Sequence, residues 1–209
     1  MSKSAVWIAL NPVIRPEGRS GPQDYSLIGY NRRVSIHSEH PFLTPEPDRD
    51  PVRRLRGRLN ASVTIWTTGA GRARAGLTVS SVFIAEGEPA EVVGLVNADS
   101  ALGEELEETR TLVVNVLGAE HRTAADVFAG RTPSPGGTFR TGNWTDTDWG
   151  PVLEGVPAWT GARLVDGPLL RSGWAYLVRA AIEHVELRAL ADEEQALGYL
   201  RGRYHFPGW

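Results

Sequence analysis

Three strand-like runs follow one another closely between Ala61 and Asn97, and their spacing constrains the fold more than any other feature of the sequence. Together the runs are rich in Val, Ile and Thr, and turn-forming Gly and Pro occur where one run passes to the next, at residues 69–71 and 86–89. Gaps this short join antiparallel neighbours, because parallel strands need a long crossover connection. The runs are ASVTIWTT, AGLTVSSVFIAEG and AEVVGLVN.

The middle run breaks its own alternation. Leu77 and Val79 alternate with Thr78 and Ser80, but Ser81 then falls on the apolar face. Taken alone, this pattern favours an edge strand with exposed serine and threonine. Gly76 and the slip at the two serines also fit a strand that bulges and turns its backbone amides towards a ligand.

The remainder of the chain adds short helices and more strands. Asp50 before Pro51 predicts a helix start, and Asp99 or Ser100 caps a second helix with Leu102 and Leu106 facing inward. A third short helix is predicted at EHRTAADVFAG, and residues 131–150 are predicted as loop. Further strands are predicted at TLVVNVL, VPAWTGARLV, WAYLVRAAIEHVEL and ALGYLR. The chain is therefore expected to be mainly β with short helices, an antiparallel barrel of about six strands.

The first 47 residues differ from the rest, because they hold 6 of the 14 prolines and show little periodicity. We predict an irregular N-terminal arm over residues 1–48 and one barrel domain over residues 49–209. Aromatic residues of the arm, such as Trp7, Tyr25 and Tyr30, are suited to anchoring it on the barrel or on a partner subunit.

Composition and charge exclude several classes of function. The chain has no cysteine, which rules out disulfides and thiol chemistry, and its net charge of -3 argues against nucleic acid as the main partner. No apolar run approaches membrane-spanning length, and the N-terminus lacks the pattern of a signal peptide. We therefore expect a cytoplasmic protein with no membrane partner.

The side chains show no self-sufficient catalytic motif. No GxSxG elbow is present, and the five histidines lack metal-ligand spacing, so no metal site is predicted. Residues 69–71 with Gly76 have the wrong spacing for a dinucleotide loop, and a strand follows them. No catalytic residue is assigned. An enzyme built on this chain would depend on a cofactor.

Seven segments occur in an order typical of one known family. They are VTIWTT, GLTVSSV, GLVNADSAL, LVVNVLG, FAG, GPVLEGVPAW and YLRGRY, within residues 52–204. On these segments the chain resembles the flavin reductase-like family, the FMN-binding split barrels. The resemblance implies FMN as the flavin, with FAD possible, and NAD(P)H as the hydride donor. It also implies a homodimer that supplies reduced flavin to a monooxygenase partner.

The resemblance also implies where the flavin binds. The segment 78–81 would lie along the isoalloxazine ring, where backbone amides and small hydroxyls allow a flat approach. The phosphate would dock at the helix start after Asn97, with a balancing charge from Arg72, Arg74 or Arg201. The residues expected at the flavin are Gly76, Thr78, Val79, Ser80, Ser81, Asn97 and Ser100.

One position departs from the family pattern. Many members carry a Gly-Asp-His segment before the strand that reads RSGWAYLV here, and its histidine is associated with the nicotinamide. Aligned on Tyr176, that position is Gly173, followed by Trp174. This departure keeps open a flavin-binding barrel with another reductant or none. The aromatic arm and the tail YLRGRYHFPGW keep open a third hypothesis, a non-enzymatic barrel that serves as an interaction module.

Overall fold

A computed structural model describes residues 50–208, so the predicted arm lies outside the described residues. The three α-helices of this part are α1 (Pro51–Arg56), α2 (Ala101–Thr109) and α3 (Arg122–Phe128). Its strands are β1 (Ala61–Ser62), β2 (Thr64–Thr68), β3 (Ala75–Val79), β4 (Val82–Ala85), β5 (Glu91–Asn97), β6 (Thr111–Val116), β7 (Trp144–Asp146), β8 (Pro151–Leu153), β9 (Ala158–Leu164), β10 (Leu170–Ser172), β11 (Ala175–Leu187), β12 (Gly198–Leu200) and β13 (Arg203–His205). None of the described helices is long and apolar enough to span a membrane.

The main sheet closes on itself through the middle run. Its strands follow the order β3-β2-β6-β9-β11-β5-β4, all antiparallel, with β10 added beside β11. β3 and β4 are consecutive in sequence, yet they lie at opposite ends of this order. Two residues, Ser80 and Ser81, connect them, so the sheet must curl until its two ends meet. With β3 and β4 counted as one continuous strand, this is the predicted antiparallel barrel of six strands.

The slip in the middle run marks a change of pairing partner. The sequence predicts one strand there, whereas the structure has two, β3 paired with β2 and β4 paired with β5. The Ser81 carbonyl accepts a hydrogen bond from the Leu95 N–H at 3.2 Å, which fixes the start of the second pairing. The alternation of apolar and polar residues fails where the chain stops pairing with β2 and begins to pair with β5.

The barrel interior is filled by apolar side chains and by one face of α2. Leu102 and Leu106 of α2 are fully buried, which confirms their predicted inward orientation. Both pack in one cluster with strand residues that include Trp66, Val92, Val96, Leu112, Val114 and Val178. α2 therefore lies against the concave side of the sheet, and its N-terminus is held at the end of β5.

A second cluster covers part of the outer face. α3, β8 and the C-terminal hairpin β12–β13 pack there against β2. The predicted loop 131–150 is partly wrong, because it contains β7, which pairs with β8. Trp144 of β7 packs with Phe128 and Phe139 at ring distances of 5.1 and 5.0 Å, and this aromatic contact orders the segment.

Candidate functional site

Three segments meet at one end of the barrel. They are the break at Ser80 and Ser81, residues 97–100 before α2, and the turn at Gly173 and Trp174 between β10 and β11. The register pairs Ala175 with Asn97, and the Ala98 N–H donates to the Trp174 carbonyl at 3.4 Å. Leu95, two residues before Asn97, is bonded to Ser81. The two segments predicted to hold the flavin therefore lie side by side.

The two serines of the break have different surroundings. The Ser81 hydroxyl donates to the Leu95 carbonyl at 3.0 Å and accepts from the Leu95 N–H at 3.3 Å, so it fastens β4 to β5. Ser80 is exposed, and no residue of the described chain accepts a hydrogen bond from its backbone N–H. Of the two, Ser80 presents its polar groups to solvent.

The remaining predicted residues of β3 are engaged by the protein itself. A Cβ on Gly76 would lie 2.6 Å from the Phe128 ring, so glycine is needed there for the packing of α3. The Thr78 hydroxyl donates to the Ala125 carbonyl of α3 at 2.7 Å, and Val79 is only 3 % exposed in the barrel core. What this segment offers a ligand is its backbone, together with Ser80.

The start of α2 is a capped helix N-terminus. Ser100 Oγ accepts from the Gly103 N–H at 3.1 Å and donates to the Asn97 carbonyl at 2.6 Å. Asn97 Oδ1 accepts from the Asp99 N–H at 3.2 Å, which holds the turn. The structure therefore selects Ser100 from the two predicted caps. Uncapped N–H groups at the first positions of a helix attract anions.

The candidate balancing charges do not gather at this helix start. The Arg74 guanidinium donates to Asp146 at 2.8 Å and so holds the pKa of that carboxyl below its usual range. Arg72 and Arg74 precede β3, at the opposite end of the strand from Ser80, roughly 20 Å away at the rise of an extended chain. Arg201 lies in the β12–β13 turn, where its backbone N–H donates to the Gly57 carbonyl at 2.6 Å.

The turn at Gly173 explains why glycine stands at that position. Its φ is +61°, which favours glycine, and no atom lies within 4 Å of an added Cβ. Trp174 beside it is 83 % exposed, next to residues 97–100. Neither observation tests the predicted effect of a missing histidine on the nicotinamide.

Sequence reasoning missed Gly94 as part of this site. A Cβ there would lie 2.6 Å from both the Ser81 carbonyl oxygen and the Trp66 ring, so the sheet closes only because Gly94 has no side chain. The signal was present, because an isolated glycine inside a strand pattern often marks a close approach of backbone.

Fold and site together define a small antiparallel barrel whose closure lies beside a capped helix N-terminus. Residues 56–208 match the model of the flavin reductase like domain. The chain belongs to the flavin reductase-like family.

Curated relatives and solved structures agree with this assignment. The protein named FMN reductase (NADH) RutF of Variovorax paradoxus (strain S110) is 30% identical over 179 residues, which cover 84% of this chain and 94% of the relative. The protein of the same name from Ancylobacter novellus is 33% identical over 122 residues, covering 58% and 67% of the two chains. The NADH:FAD oxidoreductase SgcE6 of Streptomyces globisporus C-1027 superposes with a TM-score of 0.65 at 24% identity, over 78% of this chain and 95% of that one. Because SgcE6 and this chain are only 24% identical, this superposition shows that they share a fold and no more than that.

Proposed function

We propose that this chain is a flavin reductase that transfers hydride from NADH to FMN. The observation that carries the proposal is the closure of the barrel at Ser81 and Leu95, which places the exposed Ser80 on the strand next to Asn97 and the start of α2. The relative from Variovorax, named FMN reductase (NADH) RutF, matches 84% of this chain over 94% of its own length and supports the same activity. FAD is the alternative flavin, because SgcE6 is an NADH:FAD oxidoreductase.

The residues of the site fit a flavin mononucleotide. The free Ser80 N–H is a donor for the polar edge of the isoalloxazine ring, and the small Ser80 side chain leaves the ring face open. The phosphate suits the start of α2, where the helix dipole favours an anion and Ser100 and Asn97 hold the turn. Bound FMN supplies the hydride-accepting ring, and this chain supplies its position and its electrostatic surroundings.

The proposed domain, location, oligomeric state and partner follow from the same proposed activity. Residues 49–209 are proposed as the flavin-binding domain of a cytoplasmic homodimer that supplies reduced flavin to a monooxygenase. An exposed apolar face supports association with a second copy, since a lone barrel would leave it in water. This face lies on β4, β5 and β10 and includes Phe83, Leu95 and Leu170.

Purified full-length protein is expected to bind FMN and to oxidise NADH when FMN is present. Titration should quench flavin fluorescence with a Kd in the micromolar range, about -8 kcal/mol. Loss of NADH absorbance on adding FMN measures the reductase step, and NADPH run in parallel measures the preference for nicotinamide. A protein that binds neither FMN nor FAD at tens of micromolar contradicts the proposal.

Replacing Ser80 by leucine is expected to weaken FMN binding strongly without unfolding the protein. Ser80 is exposed, so the larger side chain is tolerated by the fold but covers the face on which the ring would lie. Ser80→Ala is the matched control, and it should bind FMN like the wild type because the backbone N–H remains. Fluorescence titration and circular dichroism measure the two effects. Equal FMN affinity in wild type and Ser80→Leu would place Ser80 outside the site.

A further inference from the structure

A buried threonine hydroxyl lies directly behind the break in the barrel. Thr64 of β2 is paired with Val79, the last residue of β3, and is 2 % exposed. Its Oγ1 donates to the Val79 carbonyl oxygen at 2.6 Å. This carbonyl belongs to the peptide unit that joins Val79 to Ser80, so a side chain in the core holds a peptide within the proposed flavin segment, residues 78–81.

Trp66 fixes the direction of that hydroxyl. Its Nε1–H donates to Thr64 Oγ1 at 3.0 Å, and the indole is fully buried. Because Thr64 Oγ1 accepts from the indole, its own proton is left for the Val79 carbonyl. The far edge of the same indole lies where a Cβ on Gly94 would be, beside the Ser81 carbonyl. Trp66 therefore supports the chain on both sides of the break.

The orientation of this carbonyl determines the orientation of the next amide. The Val79–Ser80 peptide is trans, so its C=O and N–H point in opposite directions. With the carbonyl held by Thr64 in the interior, the Ser80 N–H is turned away from β2, and no acceptor for it lies among residues 50–208.

We propose that Thr64, held by Trp66, is a positioning residue that aims the Ser80 N–H at the flavin. The inference rests on the proposed flavin site, and it assigns a role to two core residues that cannot touch the ligand themselves. Without the hydroxyl, the Trp66 Nε1–H loses its buried acceptor and the Val79 carbonyl loses one donor, so the Val79–Ser80 peptide is held less firmly where β3 ends.

The test compares Thr64→Val with Thr68→Val. Thr68 lies on the same strand and the same face, is fully buried, and donates to the Thr111 carbonyl at 2.6 Å while sharing a hydrogen bond with Thr109. It is therefore matched to Thr64 in chemistry and burial, but it lies at the far end of β2. Two readouts are used: hydrogen–deuterium exchange of peptides covering residues 77–84, and the FMN Kd from fluorescence.

Thr64→Val is expected to speed exchange in residues 77–84 and to raise the FMN Kd about ten-fold, equivalent to one lost buried hydrogen bond. Thr68→Val is expected to lower the melting temperature comparably with neither effect, and Thr64→Ser should restore both readouts. If Thr64→Val cannot be purified, Trp66→Phe, which removes the indole donor together with part of the buried ring, should also speed exchange in residues 77–84 and raise the FMN Kd.

Unchanged exchange in residues 77–84 of a folded variant would overturn the positioning role. Faster exchange with an unchanged FMN Kd would overturn its link to the flavin. If Thr64→Val and Thr68→Val change both readouts equally, the two threonines contribute only to the general stability of the fold, and the positioning role is contradicted. Failure of the proposed function gives a different result, because wild-type protein would then bind no flavin while the exchange comparison would still report on the peptide.

Discussion

Gly94→Ala is expected to destabilise the protein by about 2 kcal/mol or more and to weaken FMN binding with it. The added Cβ would lie 2.6 Å from the Ser81 carbonyl oxygen and 2.6 Å from the Trp66 ring. Neither group has room to move. The Ser81 carbonyl is backbone bonded to Leu95, and the Trp66 indole is fully buried and tied to Thr64.

Relief of this contact requires β4 and β5 to separate where the barrel closes. We therefore expect a melting temperature lower by roughly 4–8 °C, which thermal denaturation measures, and a raised FMN Kd in the same preparation. Gly57→Ala is the control, since a Cβ there would meet its nearest neighbours at an ordinary 3.5 Å and its φ is -65°. A Gly94→Ala variant with wild-type stability and FMN affinity would contradict this prediction, because it would show that β4 and β5 can accommodate the added Cβ where the barrel closes.

The parts of this fold that the sequence predicts well are those set by neighbouring residues. Asp50 caps α1 through hydrogen bonds from the Val52 and Arg53 N–H groups at 2.9 and 3.2 Å, as a cap before proline should. The helical spacing of Leu102 and Leu106 likewise identifies the buried face of α2. Periodicity and capping are local signals, so a single sequence carries them.

The parts that it predicts poorly depend on contacts between distant segments. The slip at Ser80 and Ser81 indicates an irregularity, but only pairing with Leu95 shows that the sheet closes there. The roles of Gly76 and Thr78 are decided by α3, since the Thr78 hydroxyl meets a carbonyl 47 residues along the chain. A pattern that suits ligand contact also suits close packing of a helix, and local sequence does not distinguish the two.

The same limit applies to the charges proposed for the phosphate. Arg74 follows a turn and precedes the strand proposed to hold the flavin, so its sequence position agrees with a role in binding. In the structure it is paired with Asp146 of β7, a strand that lies within the predicted loop. Of the groups proposed for the phosphate, the backbone and dipole of α2 remain at the helix start, so changing the charge at its first turn is the most direct test of that proposal.

Ser100→Asp is expected to raise the FMN Kd about ten-fold relative to Ser100→Asn, while the riboflavin Kd differs much less between the two variants. The two replacement side chains have nearly the same shape, and both accept a hydrogen bond from the Gly103 N–H as Ser100 Oγ does. Asparagine also keeps a donor for the Asn97 carbonyl, which Ser100 Oγ now supplies. The carboxylate lacks that donor, a loss that affects both flavins alike, and its charge repels only the flavin that carries a phosphate.

Fluorescence titration of both variants with both flavins, at low and at high salt, separates this repulsion from damage to the cap. Electrostatic repulsion decreases as the salt concentration rises. A disrupted helix start instead weakens the binding of both flavins at every salt concentration. An FMN Kd that is the same in Ser100→Asp and Ser100→Asn would place the phosphate away from α2. The Ser80 amide would then be the backbone contact that remains proposed for the flavin, and the search for the anion site would move to other parts of the chain or to a partner subunit.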